Sequence, residues 1–256
     1  MVWRDERGAL AAFNLVHHSG KEGWMGPLAV RPDRQGMGEG KRIVEAGIEW
    51  LQKAGATTIG LETMPRTVEN IGFYSALGFV PGHLTVTLIE DAGHRSRNEG
   101  MRLSRSADRA AQLAACTALT ERLSPGVDFA REQELTERYL LGDSSLVMRN
   151  GELIGFALWH SAPLADGRHA EELRVLKCVA IDRGALGEVL AAVRQAAAEE
   201  GMKRVALRCQ TAFTEAYADL VSAGWRVHWT DLRMTLEGYR EPRVKGEGVV
   251  WSNWEI

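Results

Sequence analysis

A single register shift lays one half of this 256-residue chain on the other. With Gly55 placed on Gly201, 146 residues later, Ile43-Val44 meets Val189-Leu190, Ile59 meets Val205, Leu61 meets Leu207, and Gly78-Phe79 meets Gly224-Trp225. Farther upstream the shift becomes 143, and Leu10, Phe13, Leu15 and His17 fall on Leu153, Phe156, Leu158 and His160. A repeat on this scale restricts the chain to one fold written twice, each copy near the usual size of a small domain.

Periodicity gives each copy the same coarse plan. Residues 9–18 and 153–161 are mostly apolar, 24–30 and 173–181 read as extended, and 58–64 and 204–210 read as short strands between helices. In the first copy Ile43, Val44, Gly47, Ile48 and Leu51 recur at helical spacing, and Gly55 is placed to end that helix. A second helix is expected over 67–77, stopping at Gly78 before a strand that begins at Phe79. The second copy begins near Met101, with a strand and two helices, about 106–122 and 128–141, before the aligned region starts. By the same alignment the first copy is expected to lack the corresponding 44 residues or so, through a late start of the reading frame or a deletion. Residues 91–100 read as a linker, which places the domains at 1–96 and 100–256.

Composition narrows the class. At 45% hydrophobic and 25% charged residues the chain has the material for a buried core, which excludes disorder and collagen. No apolar run reaches the roughly 18–20 residues that span a bilayer, and no apolar stretch follows the charged start. A cytoplasmic protein with no membrane partner is expected. The first 98 residues carry 11 basic and 11 acidic side chains and the rest carry 20 and 23, so no nucleic-acid partner is expected. Cys116, Cys178 and Cys209 are scattered, and the adjacent His17 and His18 point to opposite faces of a strand, so no metal site is expected.

The chemistry concentrates after the strand ending Leu28-Ala29-Val30. There the chain reads Arg31-Pro32-Asp33-Arg34-Gln35-Gly36-Met37-Gly38-Glu39-Gly40-Lys41 and runs directly into the amphipathic helix. Alternating glycines let successive backbone N–H groups converge, and a helix start adds its positive dipole end, which together make a cradle for a pyrophosphate. A Walker A loop would need Gly where Gln35 stands and Ser or Thr where Arg42 stands, and a G-x-G-x-x-G fingerprint from Gly36 would need Gly at Lys41. Both are excluded by spacing.

Gln35-x-x-Gly38-x-Gly40 between a strand and a helix resembles the coenzyme A signature of the GNAT acetyltransferases. Leu61-Glu62-Thr63 through Phe73-Tyr74-x-x-x-Gly78-Phe79 resembles their later strand-and-helix motif. The resemblance covers residues 9–90 well and the remainder as a degenerate twin. It implies an α/β (α+β) chain of two tandem GNAT-like domains, each a mixed, splayed, mainly antiparallel sheet flanked by helices. It also implies N-acetyl transfer from acetyl-CoA to a primary amine, on a small molecule or a protein, by direct attack in the first domain and with no metal. The pantetheine arm would lie along Leu28, Ala29 and Val30. The backbone of Gln35, Gly36, Met37, Gly38, Glu39, Gly40 and Lys41 would hold the pyrophosphate, and Thr67, Asn70 and Phe73 would complete the wall. Tyr74 matches the tyrosine that protonates the departing thiolate, and Glu62 matches the glutamate that collects the amine's proton. The family commonly has Asn where Thr67 stands, so the orientation of that helix start rests on other groups.

The second copy departs from the pattern at three places in one register. Val30 and Gly55 are 25 residues apart but Ile181 and Gly201 only 20, so the cradle is missing, while Leu220 stands opposite Tyr74 and Arg208 opposite Glu62. The second domain is therefore expected to be a structural partner or an acceptor-binding lobe. The alternative function is a non-catalytic acyl-CoA-binding or scaffold protein, and a homodimer is a further expectation, with a neighbour covering the sheet edge of the shorter first copy.

Overall fold

The computed structural model describes residues 1–92, 100–165 and 169–254, so most of the expected linker lies outside the described residues. The two copies repeat one order of elements. In the first, strands β1 (Val2–Arg4), β2 (Leu10–Ser19) and β3 (Glu22–Val30) lead through a 3-10 turn to helix α1 (Glu39–Lys53). Strand β4 (Thr58–Thr63), helix α2 (Val68–Ser75) and strand β5 (Phe79–Asp91) follow. The second copy opens with β6 (Met101–Arg102) and helices α3 (Arg109–Leu123) and α4 (Ala130–Arg138). It then runs β7 (Gly142–Arg149), β8 (Glu152–His160), β9 (Glu172–Ala180), α5 (Arg183–Glu199), β10 (Arg204–Gln210), α6 (Thr214–Ser222), β11 (Arg226–Leu236) and β12 (Val249–Ser252). Among the described residues no helix is long and apolar enough to cross a membrane.

The compact units do not follow a contiguous division at residues 96 and 100. One comprises Met1–Leu84, Asp231–Pro242 and the chain from Trp254; the other comprises Thr85–Thr230 and Arg243–Asn253. Each unit is completed by a strand of the other copy. In the first, β4 pairs antiparallel with β11, Leu61 facing Met234 and Glu62 facing Arg233. In the second, β10 pairs antiparallel with β5 over Arg204–Gln210 and Thr85–Asp91.

Within the first unit the strand order is β1-β2-β3-β4-β11, antiparallel except for β3–β4. Helix α1 buries Ile43, Val44, Gly47 and Leu51 against β2 and β3. The approach is close. A side chain at Gly47 would stand 2.9 Å from the Met25 sulfur, and one at Gly23 would stand 2.5 Å from Leu51. Met25, Ile59, Leu61, Phe79 and Met234 share this core. At about 25 cal/mol per Å² of apolar surface, burying each large side chain contributes roughly 1.5–3 kcal/mol.

The second unit has the order β6-β7-β8-β9-β10-β5, again with one parallel pair, β9–β10. Its sheet is covered on both faces. Helix α5 packs on one side with Val189, Val193 and Ala197, and α3 packs on the other with Cys116, Leu119 and Leu123. The three cysteines are buried and unpaired, and burial pushes the Cys116 and Cys209 thiols up to about 12.

Candidate functional site

The parallel pair β3–β4 is where the site opens. Its ladder runs from Glu22 opposite Thr58 to Met25 opposite Leu61 and then stops. Strand β3 continues to Val30 bonded only to β2, with Leu28 opposite Asn14 and Val30 opposite Ala12. Two adjacent parallel strands that stop pairing leave a wedge with unpaired backbone groups along one side, and an extended ligand is held in such a wedge by main-chain hydrogen bonds. Pro27, which has no N–H to donate, stands where the wedge begins.

Past Val30 the chain turns through Pro32–Arg34 and the glycine loop into α1. Gly36 and Gly38 both take positive φ, 78° and 79°, a conformation that side chains with a Cβ disfavour. Gly38 is the N-cap of α1 and carries no side chain to cap it, so the first amides of the helix are left to an outside acceptor. A cleft of about 450 Å³ lies here, lined by Leu28, Val30, Arg34, Gln35, Gly36, Gly38, Glu39, Gly40, Lys41, Asn70 and Phe73. Gly40 sits where three elements converge, since a Cβ there would stand 3.4 Å from Val30 and 3.8 Å from Phe73.

The cleft therefore gathers most of the residues singled out for the cofactor. Ala29 points to the other side of β3 from Leu28 and Val30 by strand alternation, Met37 is exposed at the loop tip, and Thr67 caps α2 without a side-chain hydrogen bond; none of the three lines the cleft. Asn70 Nδ2 donates to Thr63 Oγ1 at 3.4 Å, which ties α2 to the end of β4. Gln35 Nε2 donates to the Val30 carbonyl at 3.1 Å and closes the turn. Arg31 is committed elsewhere, bridging Asp33 at 2.6 Å and Asp5 at 3.0 Å.

The two residues singled out for proton transfer lie outside the cleft lining. Tyr74 is half-buried between Phe73 and Phe79, with ring centroids 5.1 and 6.0 Å away. Burial holds its phenol above the ordinary value near 10, so it stays protonated at neutral pH. Glu62 lies on the face of β4 opposite Leu61 and Thr63, as alternation requires, and its side chain is only 3% exposed. Its carboxylate accepts from Arg233 Nη1 at 2.6 Å.

Arg233 arrives on β11, 171 residues away in the chain. It is as deeply buried as Glu62 and also donates to both oxygens of Glu241, at 2.7 and 2.9 Å, with Glu22 at 3.9 Å. Its guanidinium lies 3.3 Å from the centre of the Trp254 ring. That ring covers Gly60, where any Cβ would come within 2.1 Å of it. Neither Arg233 nor Trp254 in this role was foreseen from sequence. Trp251 and Trp254 of the chain's tail are both buried. His17 and His18 do face opposite ways, His17 stacked on Trp24 and His18 edge-on to Trp50. Among the described residues no group of three His, Cys, Asp or Glu side chains is placed to hold a metal ion.

The second unit shows what became of the same two features. Its parallel ladder ends at Leu207 opposite Val175. Beyond that point β9 is paired from Lys177 to Ala180 with β12, the chain's own last strand. Lys177 Nζ donates to Ser252 Oγ and the Asn253 carbonyl, both at 2.9 Å, and Gln210 Nε2 donates to the Ser252 carbonyl at 3.2 Å. The wedge is filled from within. At the start of α5 the N-cap Asp182 accepts from Ala185 N at 2.7 Å, so a carboxylate of the chain already occupies the helix end. Leu220 and Arg208, opposite Tyr74 and Glu62 in the repeat, are buried, and Arg208 donates to Thr87 at 3.3 Å.

The chain is similar to known proteins in sequence and in fold. Residues 2–79 match the family described as Acetyltransferase (GNAT) family. The [Ribosomal protein bS18]-alanine N-acetyltransferase of Escherichia coli (strain K12) is 34% identical over 74 residues, 29% of this chain and 50% of that protein. The chain thus spans about half the length of the curated relatives it matches. A GCN5-related N-acetyltransferase from Sphaerobacter thermophilus superposes with a TM-score of 0.55 at 16% identity, over 94% of this chain and 81% of the other. A tandem GNAT protein from the clavulanic acid biosynthesis pathway gives 0.55 at 12% identity, over 91% and 81%. Residues 2–79 are accordingly similar to the GNAT acetyltransferase family, in a chain whose fold is shared with a GCN5-related N-acetyltransferase and with a tandem GNAT protein.

Proposed function

We propose that the first unit moves an acetyl group from acetyl-CoA to a primary amine, and that the second unit binds no cofactor. The observation that carries this reading is the contrast between two equivalent places. In the first unit the wedge beside Leu28–Val30 and the amides at the start of α1 are left to a ligand. In the second both are taken by β12 and Asp182. The donors suit the ligand, since an extended amide-bearing arm matches a strand edge and a pyrophosphate matches converging amides.

The reaction forms one bond and breaks one. The amine's lone pair attacks the thioester carbonyl carbon, the C–N bond forms, the C–S bond breaks, and the thiolate takes a proton. Tyr74, kept protonated by burial, is the proposed donor to the sulfur, and Glu62 the proposed acceptor of the amine's proton through water. A positioned general acid typically contributes about 10² to 10⁴ in rate. The name of the Escherichia coli relative makes a protein N-terminal amine the first acceptor to try.

A second reading, acyl-CoA binding without turnover, draws support from one observation, that neither Tyr74 nor Glu62 lines the cleft. A thiol-release assay with acetyl-CoA over peptides with free N-termini and a panel of small amines separates the two. We expect turnover that falls at least a hundredfold in Tyr74→Phe while the affinity for acetyl-CoA is unchanged. Tight binding with no turnover on any amine would establish the second reading, and unchanged turnover in Tyr74→Phe would remove that residue from its role.

A further inference from the structure

The cleft wall contains one group that opposes the ligand it would hold. Glu39 is the first residue of α1, it lines the cleft between Gly38 and Gly40, and its side chain is only 5% exposed. One carboxylate oxygen, Oε1, accepts from Arg34 Nε at 2.9 Å and Nη2 at 2.5 Å. The other, Oε2, is buried with no hydrogen-bond partner among the described residues. A buried, half-satisfied carboxylate is costly, and two things hold it in place, the positive end of α1 and the Arg34 guanidinium. Both are also what the site offers a diphosphate. Arg34, one-third exposed, is the cleft-lining cation nearest to neutralised, with its charge stabilised above all by Glu39. Lys41, the other cation of the lining, is mostly exposed and 3.8 Å from Glu45.

Resting on the reading that acetyl-CoA binds here, we propose that Glu39 is an affinity-setting residue of the cofactor site. Its carboxylate occupies the field of the helix end and of Arg34 in competition with the phosphates, and so loosens the grip on coenzyme A and speeds departure of the product. Removing that one charge while keeping the side chain's shape leaves Arg34 and the helix end to the ligand, and both consequences act in the same direction.

Calorimetric titration of the full chain tests this with two ligands, acetyl-CoA and S-acetylpantetheine, which has the same arm and no phosphates. Glu39→Gln is expected to bind acetyl-CoA about tenfold more tightly than the unaltered protein and to bind S-acetylpantetheine equally. The gain should shrink as salt is raised. Arg34→Gln, a change at a partly exposed position, is expected to weaken acetyl-CoA binding and serves in its own right if Glu39→Gln does not fold. Unaltered or weaker binding of acetyl-CoA by a folded Glu39→Gln, or an equal gain for S-acetylpantetheine, would overturn the proposal. So would unchanged binding by Arg34→Gln. No binding by the unaltered protein would instead overturn the reading of the site itself.

Discussion

Glu62 stands in a place nearly closed to water with Arg233 beside it, and Arg233 in turn bridges to Glu241 and lies over the face of Trp254. Taking either partner from such a pair typically costs about 3–5 kcal/mol, because the survivor is left buried and unmatched. The face on which Glu62 stands was legible from strand alternation alone. Its partner was not, since nothing local to residues 58–63 refers to a strand 171 residues on. A second buried group gives a test by pH. Burial, and then the Arg174 guanidinium, push the His160 imidazole down to about 4, and its Nε2 is 2.9 Å from Thr136 Oγ1. The folded protein holds this ring neutral while the unfolded chain takes a proton below the ordinary value near 6.5. The stability it contributes is therefore complete above pH 6.5 and is lost as pH falls toward 4. Allowing for the solvent that still reaches the ring, urea unfolding should show about 1 kcal/mol less stability from this group at pH 5 than at pH 7. His160→Gln should flatten that part of the slope, and an unchanged slope would assign the loss to other groups.

At the scale of elements, the strands and helices within each copy follow from patterns a few residues long. The helix expected to end at Gly55 runs Glu39–Lys53, with Gly55 at φ 86° just beyond it, and the helix expected over 67–77 runs Val68–Ser75. The glycine loop was readable for the same reason, because backbone freedom at Gly36 and Gly38 is a local property. Which strand lies beside which is a different matter. The pairing of β12 with Lys177–Ala180 in the wedge of the second copy depends on a long-range fit that no periodicity encodes. The exchange that puts β11 beside β4 and β5 beside β10 is of the same kind. Gly60 offers a test of how tightly the first unit depends on these distant pieces. Gly60→Val would put methyl groups into the Trp254 ring, and overpacking of this sort costs roughly 1–3 kcal/mol. Thermal unfolding should show the loss, and adding Trp254→Ala should recover part of it. Equal destabilisation with and without the tryptophan would mean that Gly60 is required for another reason.

Over the whole molecule, the repeat visible in the sequence is a repeat of fold, and on the proposed function not of site. Both copies keep the strand, helix and strand that build a wedge with a helix end above it. In the first the β3–β4 ladder stops at Met25 and Leu61, whereas in the second β12 pairs along the same stretch and Asp182 caps the helix. The shortened connection before α5 made the lost cradle legible, while the strand that replaces the ligand was not. The second copy also gives the first what it would otherwise lack, the strand Asp231–Leu236 with Arg233 at its centre and the cover of Trp254. On the proposed function, a chain built this way has one cofactor site for two folds. The stoichiometry of acetyl-CoA binding to the full chain, measured by calorimetry, tests that most directly. One molecule per chain is predicted, with binding abolished by Gly40→Val, which crowds the space shared with Val30 and Phe73; two molecules per chain, or one that binds undiminished in folded Gly40→Val, would contradict it.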